Sequence, residues 1–170
     1  MDLTRADTEP LTFEERLDIP AERGGEDVVS IEPVAIAGSV ERTGRGYEAQ
    51  GEVRGRLSLR CSRCLGELPF EFGERFAVEL IPAGLAPKEE ETRLERGDLN
   101  VHFFAEPTLD LAELAAEQLV LALPMKPLCS ESCRGLCPRC GADLNKGPCT
   151  CPSRVEERWA PLLEWRSREH

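Results

Sequence analysis

Residues 47–81 read YEAQGEVRGRLSLRCSRCLGELPFEFGERFAVELI, and the periodicity of this stretch decides what kind of fold the chain can adopt. In its first half Ala49, Gly51, Val53, Gly55, Leu57, Leu59 and Cys61 alternate with Glu48, Gln50, Glu52, Arg54, Arg56 and Arg60. A period of two puts small and apolar side chains on one face of a strand and charge on the other, the pattern of a half-buried strand. The glycines inside it predict a bulge or bend. In the second half Phe70, Phe72, Phe76, Val78 and Leu80 are the apolar positions, with an interruption of phase expected near Gly73. The two runs bracket CSRCLG, so they are expected to pair antiparallel with Cys61 and Cys64 at or near their connection.

Working outward, TFEERLDI (12–19) and IEPVAIAGSVE (31–41) read as short strands separated by the Gly-rich, charged AERGGED (21–27), and LNVHFFAE (99–106) as one further strand. AGLAPKEEETRLERGD (83–98) is polar enough to be an exposed loop. The strongest helix lies within LDLAELAAEQLVLALP (109–124). Asp110 can cap its start, Glu113 follows three positions on as in a capping box, and Pro124 stops it. Asp110, Glu113 and Glu117 share one face, while Leu111, Leu114, Leu119, Leu121 and Leu123 surround the rest and suit packing across a sheet. SRVEERWAPLLEW (153–165) can form a short turn and helix docking through Trp159, Leu162 and Trp165. No internal repeat is evident. The expected class is α+β: an antiparallel sheet or partly open barrel with one packed helix and a C-terminal Cys-rich zinc module. An acidic α+β domain is expected over 1–124, with a zinc-binding tail over 125–170 packed on it.

The chain of 170 residues, 41% of them hydrophobic, can build one real core, and its 5% aromatic content leaves that core to Leu, Val, Ile and Ala. The formal charge of −11 is uneven. Residues 1–60 carry 8 basic and 13 acidic side chains, residues 61–123 carry 5 and 13, and residues 124–170 carry 8 and 6. An acidic body argues against broad contact with nucleic acid, which draws its strength from Lys and Arg. It suits a basic protein partner, or serves solubility alone. MDLTRADTEP has neither a basic start nor an apolar run, so no signal peptide is expected, and no segment reaches the roughly 18 apolar residues of a membrane span. A cytoplasmic protein with reduced thiols and no membrane partner is the expectation.

Six of the 8 cysteines fall within residues 128–151, LCSESCRGLCPRCGADLNKGPCTC. In a reducing compartment such clustering favours metal over disulfides or free thiols. CPRCG has the form of a zinc knuckle: cysteines at i and i+3 turn both sulfurs inward, and Gly141 tolerates the tight path. Cys137, Cys140, Cys149 and Cys151 are the expected ligand set. Four thiolates close the coordination sphere, so the site is structural and replaces the core that this tail lacks. Cys129 and Cys133, spaced C-x3-C, are left over. With Cys61 and Cys64 they can form a second set, which requires the tail to fold back on the hairpin; alternatively one of them replaces Cys149 or Cys151. One Zn2+ is expected, and two are compatible with the count. The CSRC pair alone also admits a redox reading, helped if Arg60 and Arg63 lower a thiol pKa, although it lacks the βαβ setting of a thioredoxin motif.

No catalytic constellation emerges. His102 is the sole internal histidine and reads as structural, and His170 ends the sequence. The H-x-E and P-C-x-x-C pattern of zinc deaminases, the P-loop, the dinucleotide fingerprint and G-x-S-x-G are all missing. The expectation is that the protein is not an enzyme.

CSRCL (61–65), LDLAELAAEQLVLALPMKPLC (109–129), CRGLCPRCGADLN (133–145) with CTC (149–151), and ERWAPL (157–162), in this order, resemble the YceD family of bacterial and plastid proteins. The resemblance covers about residues 30 to 165, with its most specific parts in the helix running into ALPMKPLC and in GLCPRCGADLN. It implies a non-enzymatic role in accumulation of large-subunit ribosomal RNA, and so in assembly of the large ribosomal subunit. The implied partner is a large-subunit precursor or a basic ribosomal protein, with direct RNA contact left open. Some family members carry histidine where this chain has Cys149 and Cys151, which implies ligand roles there. Others keep the upstream CxxC without a Cys-rich tail, which counts against Cys61 and Cys64 needing tail partners. Arg134, Arg139 and Lys146 are the candidates for contact with RNA phosphates. A thiol-based redox or metal-responsive regulator is the first alternative, and an RNA-processing enzyme the second.

Overall fold

A computed structural model describes residues 1–86 and 100–151 of the chain. Its frame is a six-stranded open sheet made of β1 (Leu11–Leu17), β2 (Val28–Ile31), β3 (Val34–Arg42), β4 (Tyr47–Arg60), β5 (Glu67–Pro82) and β6 (Val101–Phe104). The order across it is β1-β3-β4-β5-β6, with β2 also paired to β4. The α+β class holds, and the open sheet rather than a barrel is its form.

The β4–β5 hairpin is the expected antiparallel pair. It runs in unbroken register from Tyr47↔Leu80 to Arg60↔Glu67. Of the bulge or bend expected from its glycines, a bulge is absent from the two long ladders. No register shift interrupts β3–β4 or β4–β5, so Gly51 and Gly55 make no bulge in these ladders. They make room for rings instead. Gly51 lies opposite Phe76 and Gly55 opposite Phe72, and a Cβ on them would stand 2.9 Å from Phe76 Cζ and 2.7 Å from Phe72 Cε1. An aromatic ring laid over a facing glycine covers the backbone that the glycine leaves bare. Nor does the phase of β5 break at Gly73: Phe70 through Leu80 keep one parity, and exposed Glu74 merely fills one of its positions.

The segment expected as one strand over 31–41 divides at Pro33, which lacks the N–H a ladder needs. Both pieces still lie along β4, and Glu32 N–H donates to the Arg56 carbonyl at 2.9 Å to bridge them. The β2–β4 register shifts nearby, between Val28 and Ser30. The 99–106 strand forms as β6, but parallel to β5, so the sheet is mixed rather than wholly antiparallel. Most of the expected 83–98 loop, and all of the 153–165 segment with Trp159, Leu162 and Trp165, lie outside the described residues.

The helix α1 (Leu111–Ala122) starts as anticipated: Asp110 Oδ1 accepts from the N–H groups of Ala112 and Glu113 at 2.8 and 3.1 Å. Leu111, Leu114, Ala115 and Leu119 form the i, i+3, i+4, i+8 stripe that packs over β5 and reaches β3 and β4. Leu121, expected among the packing positions, is 77% exposed, although it follows Leu114 by seven residues on the same side of the helix. The inward side chains Val34, Ile36, Val40, Ala49, Val53, Leu57, Leu59 and Leu80 meet the helix in one buried cluster. The first residues are stitched to the helix entry, with Leu3 N–H donating to the Pro107 carbonyl at 2.8 Å and Leu109 N–H to that of Met1 at 2.8 Å. No helix among the described residues is long and apolar enough to cross a membrane.

Candidate metal centres

Inward alternation along β4 carries one step past its end, so Cys61 is fully buried beneath the hairpin connection. The chain then turns tightly. Leu65 N–H donates to the Cys61 carbonyl at 2.9 Å, and Cys61 N–H donates to the Gly66 carbonyl at 2.8 Å. The same two bonds recur downstream: Gly141 N–H to the Cys137 carbonyl at 2.9 Å, and Cys137 N–H to the Ala142 carbonyl at 2.8 Å. CSRCLG and CPRCGA are therefore two copies of one knuckle. Their fifth residues share a left-handed backbone, with φ of 59° at Leu65 and 71° at Gly141. Sequence reasoning missed this equivalence. The signal was the common C-x-R-C, hidden because a leucine stands where glycine is expected.

Each knuckle gathers two further cysteines. The Sγ atoms of Cys61, Cys64, Cys129 and Cys133 lie within 4.8 Å of one another, and so do those of Cys137, Cys140, Cys149 and Cys151. The tail thus folds back on the hairpin, with Cys129 and Cys133 beside Cys61 and Cys64 rather than in the downstream group. Around Zn2+, with bonds of about 2.3 Å to sulfur, tetrahedral geometry sets sulfurs about 3.8 Å apart. Cys61 and Cys133 are 3.9 Å apart and Cys64 and Cys129 3.7 Å, far beyond the roughly 2.05 Å of a disulfide. Both groups can hold a metal ion.

The electrostatics point the same way. In the upstream group the Cys64 N–H, then those of Cys129 and Arg63, face the Cys61 sulfur and lower its pKa from 9.0 to about 6 despite burial. Downstream, the N–H groups of Cys140 and Arg139 and the thiol of Cys149 bring Cys137 to about 6. In each group another sulfur moves the opposite way. Cys133 and Cys64 push Cys129 up to about 12, and Cys140, with burial and Cys137, pushes Cys151 up to about 12. One thiolate forms readily in each group, but four crowded together need a cation to offset their repulsion.

Arg63 plays a different part from the one expected of it. Its Nη1 donates to the carbonyls of Glu131 and Cys133 at 3.0 and 2.8 Å, clasping the C-x3-C loop, while its backbone N–H rather than its guanidinium faces Cys61. Ser62 N–H to the Pro127 carbonyl at 2.9 Å and Leu136 N–H to the Arg63 carbonyl at 3.1 Å complete the seam between hairpin and tail. The side chains of Arg134, Arg139 and Lys146 are exposed, with Lys146 Nζ 3.9 Å from Asp143. His102 stands apart on β6, in a cleft of about 630 Å3 beside α1, with Nε2 3.6 Å from Glu117 Oε2.

The family model described as "Large ribosomal RNA subunit accumulation protein YceD" matches residues 49–164, from within β4 past both cysteine groups. An uncharacterized protein of Mycobacterium tuberculosis is 30% identical over 129 residues, covering 74% of this chain and 58% of that protein. The "Large ribosomal RNA subunit accumulation protein YCED homolog 1, chloroplastic" of Zea mays is 27% identical over 156 residues, covering 76% and 52%. An uncharacterized protein of Bacillus subtilis is 27% identical over 118 residues, covering 69% and 64%. The chain therefore spans between half and two thirds of the length of these relatives. No solved structure matches it.

Proposed function

The chain belongs to the YceD family, and from that premise we propose that it is a non-enzymatic factor supporting accumulation of large-subunit ribosomal RNA, and with it assembly of the large ribosomal subunit. The observation that carries this reading is the family match over the hairpin, the helix and both cysteine groups together. Each group of four cysteines holds one Zn2+. Four thiolates fill the coordination sphere and leave no position for a water or substrate, so the metal stabilises the tail rather than acting on a reactant. The unit is an acidic body over 1–124 with a zinc-bearing tail over 125–170, and its setting is the cytoplasm, where thiols stay reduced.

The acidic body receives a basic ribosomal protein or a basic face of a large-subunit precursor, while Arg134, Arg139 and Lys146 on the tail reach phosphates. Sedimentation of tagged protein in cell lysate, with and without ribonuclease, tests this. Migration with large-subunit precursors is expected, and persistence after ribonuclease identifies a protein contact. Migration only at the top of the gradient would count against stable association. Replacing all three basic residues with Ala is expected to weaken association and reduce its salt dependence; an unchanged profile would remove the tail as an RNA contact.

A further inference from the structure

Asn145 lies in the loop between Cys140 and Cys149, so by chain position it belongs to the downstream group. Its side chain reaches the upstream one. Asn145 Nδ2 donates to Cys133 Sγ at 3.5 Å and to Asp143 Oδ1 at 2.8 Å, while its Oδ1 accepts from the Arg134 N–H at 2.7 Å. This orientation of the amide is the one chemistry allows. A flip would aim the oxygen at a thiolate and a carboxylate, both acceptors, and the NH2 group at the Arg134 N–H, a donor. Asp143, which fixes the amide, belongs to the downstream loop as well; its backbone bridges to Leu136, one residue before Cys137.

The backbone binds the two groups along the same seam. The short link from Cys133 to Cys137 crosses the upstream knuckle. There Leu136 N–H donates to the Arg63 carbonyl, and Gly135, at φ of 74°, comes so close that a Cβ would stand 2.8 Å from that oxygen. Leu144 N–H then donates to the Gly135 carbonyl at 2.9 Å, returning the downstream loop to this link. Three residues separate the last cysteine of the upstream group from the first of the downstream group, and three hydrogen bonds, from Asn145 to Cys133, from Arg134 to Asn145 and from Leu144 to Gly135, tie this link to the downstream loop.

We propose that Asn145 is a positioning residue for the metal site to which it contributes no ligand: its amide orients the Cys133 sulfur, so that the two four-cysteine sites act as one energetically coupled unit. A hydrogen bond to a thiolate stabilises the charged form and fixes where the sulfur's remaining lone pairs point, as the surroundings of metal ligands generally do. The inference rests on the reading that both groups hold a metal, and the experiment separates the two.

The test is nuclear magnetic resonance of the full chain loaded with 113Cd, with each resonance assigned through coupling to the β-protons of its own cysteines. Two resonances are expected. In the unmodified protein, the Asn145 carboxamide proton should show a scalar coupling to the metal held by Cys133. Asn145→Ala removes the donor to sulfur without setting a second carboxylate against Asp143 and the Cys133 thiolate. It should shift the Cys133-linked resonance and speed release of that ion to a chelator by roughly tenfold, the scale of one hydrogen bond to a charged group. A merely structural role of Asn145 in its own loop would shift the Cys137-linked resonance alone. That result, or no coupling to Asn145 in the unmodified protein, would overturn the proposal. Fewer than two resonances would overturn the two-metal reading, and the coupling with it.

Discussion

Leu65 holds a φ of 59°, a conformation in which a Cβ crowds the following carbonyl, and Gly141 holds 71° at the matching point of the other knuckle. Leu65 is 58% exposed, so its side chain contributes little packing that could offset the strain. Leu65→Gly is therefore expected to stabilise the metal-loaded protein by roughly 1 kcal/mol, read as a higher midpoint in thermal unfolding; an unchanged or lower midpoint would mean that the leucine compensates by other contacts. Residues of this kind divide by how far their role reaches. Gly141 was legible because glycine after CxxC announces a left-handed turn. Leu65 was not, because nothing in its chemistry advertises that backbone. The clasp made by the Arg63 side chain was not legible for a related reason: charge beside a cysteine suggests pKa tuning, which Arg63 supplies through its backbone N–H, but a five-donor guanidinium satisfies bare carbonyls equally well.

At the scale of elements, period and punctuation were legible, and partners were not. The helix announced itself by its cap, its stop and its apolar spacing, and α1 keeps all three with Asp110 as the capping residue, except that Leu121 faces out. Asp110→Ala removes the acceptor for two helix N–H groups and is expected to cost about 0.5–2 kcal/mol, measurable as a lower midpoint of chemical denaturation with an unchanged slope. A variant indistinguishable from the parent would show that the seam between the first residues and Leu109 holds the helix entry by itself. The alternation of β4 and β5 was equally plain, but the purpose of their glycines was not. A glycine in a strand looks the same whether it kinks the chain or lies beneath a ring from the next strand, and only pairing with Phe72 and Phe76 distinguishes these. The parallel direction of β6 depends likewise on the path of the intervening chain, on which periodicity is silent.

For the molecule as a whole, two kinds of cohesion meet at one seam. The sheet and helix hold together through a continuous buried cluster of aliphatic side chains. The described part of the tail contributes no residue to that cluster, and it carries six of the eight cysteines that form the two groups able to hold a metal ion, so on the proposed reading its order depends on metal. Removing metal with a strong chelator under reducing conditions should therefore leave the far-ultraviolet signature of the sheet nearly intact. Hydrogen-exchange protection should be lost at the amides of Leu136, Cys137 and Leu144 but retained at Val53. Loss of both sets together would mean that the upstream site also secures the hairpin, and retention of both would mean that the tail folds without metal. The sequence by itself determined the hairpin, the helix and the presence of ligand-rich knuckles, because each depends on spacing within a few residues. Tertiary structure alone decided that Cys61 and Cys64 meet Cys129 and Cys133, across more than sixty residues. Nothing local in a cysteine pair specifies which distant pair completes its coordination; that follows from the hairpin's length, the helix's packing across it and the seam on which the tail comes to rest.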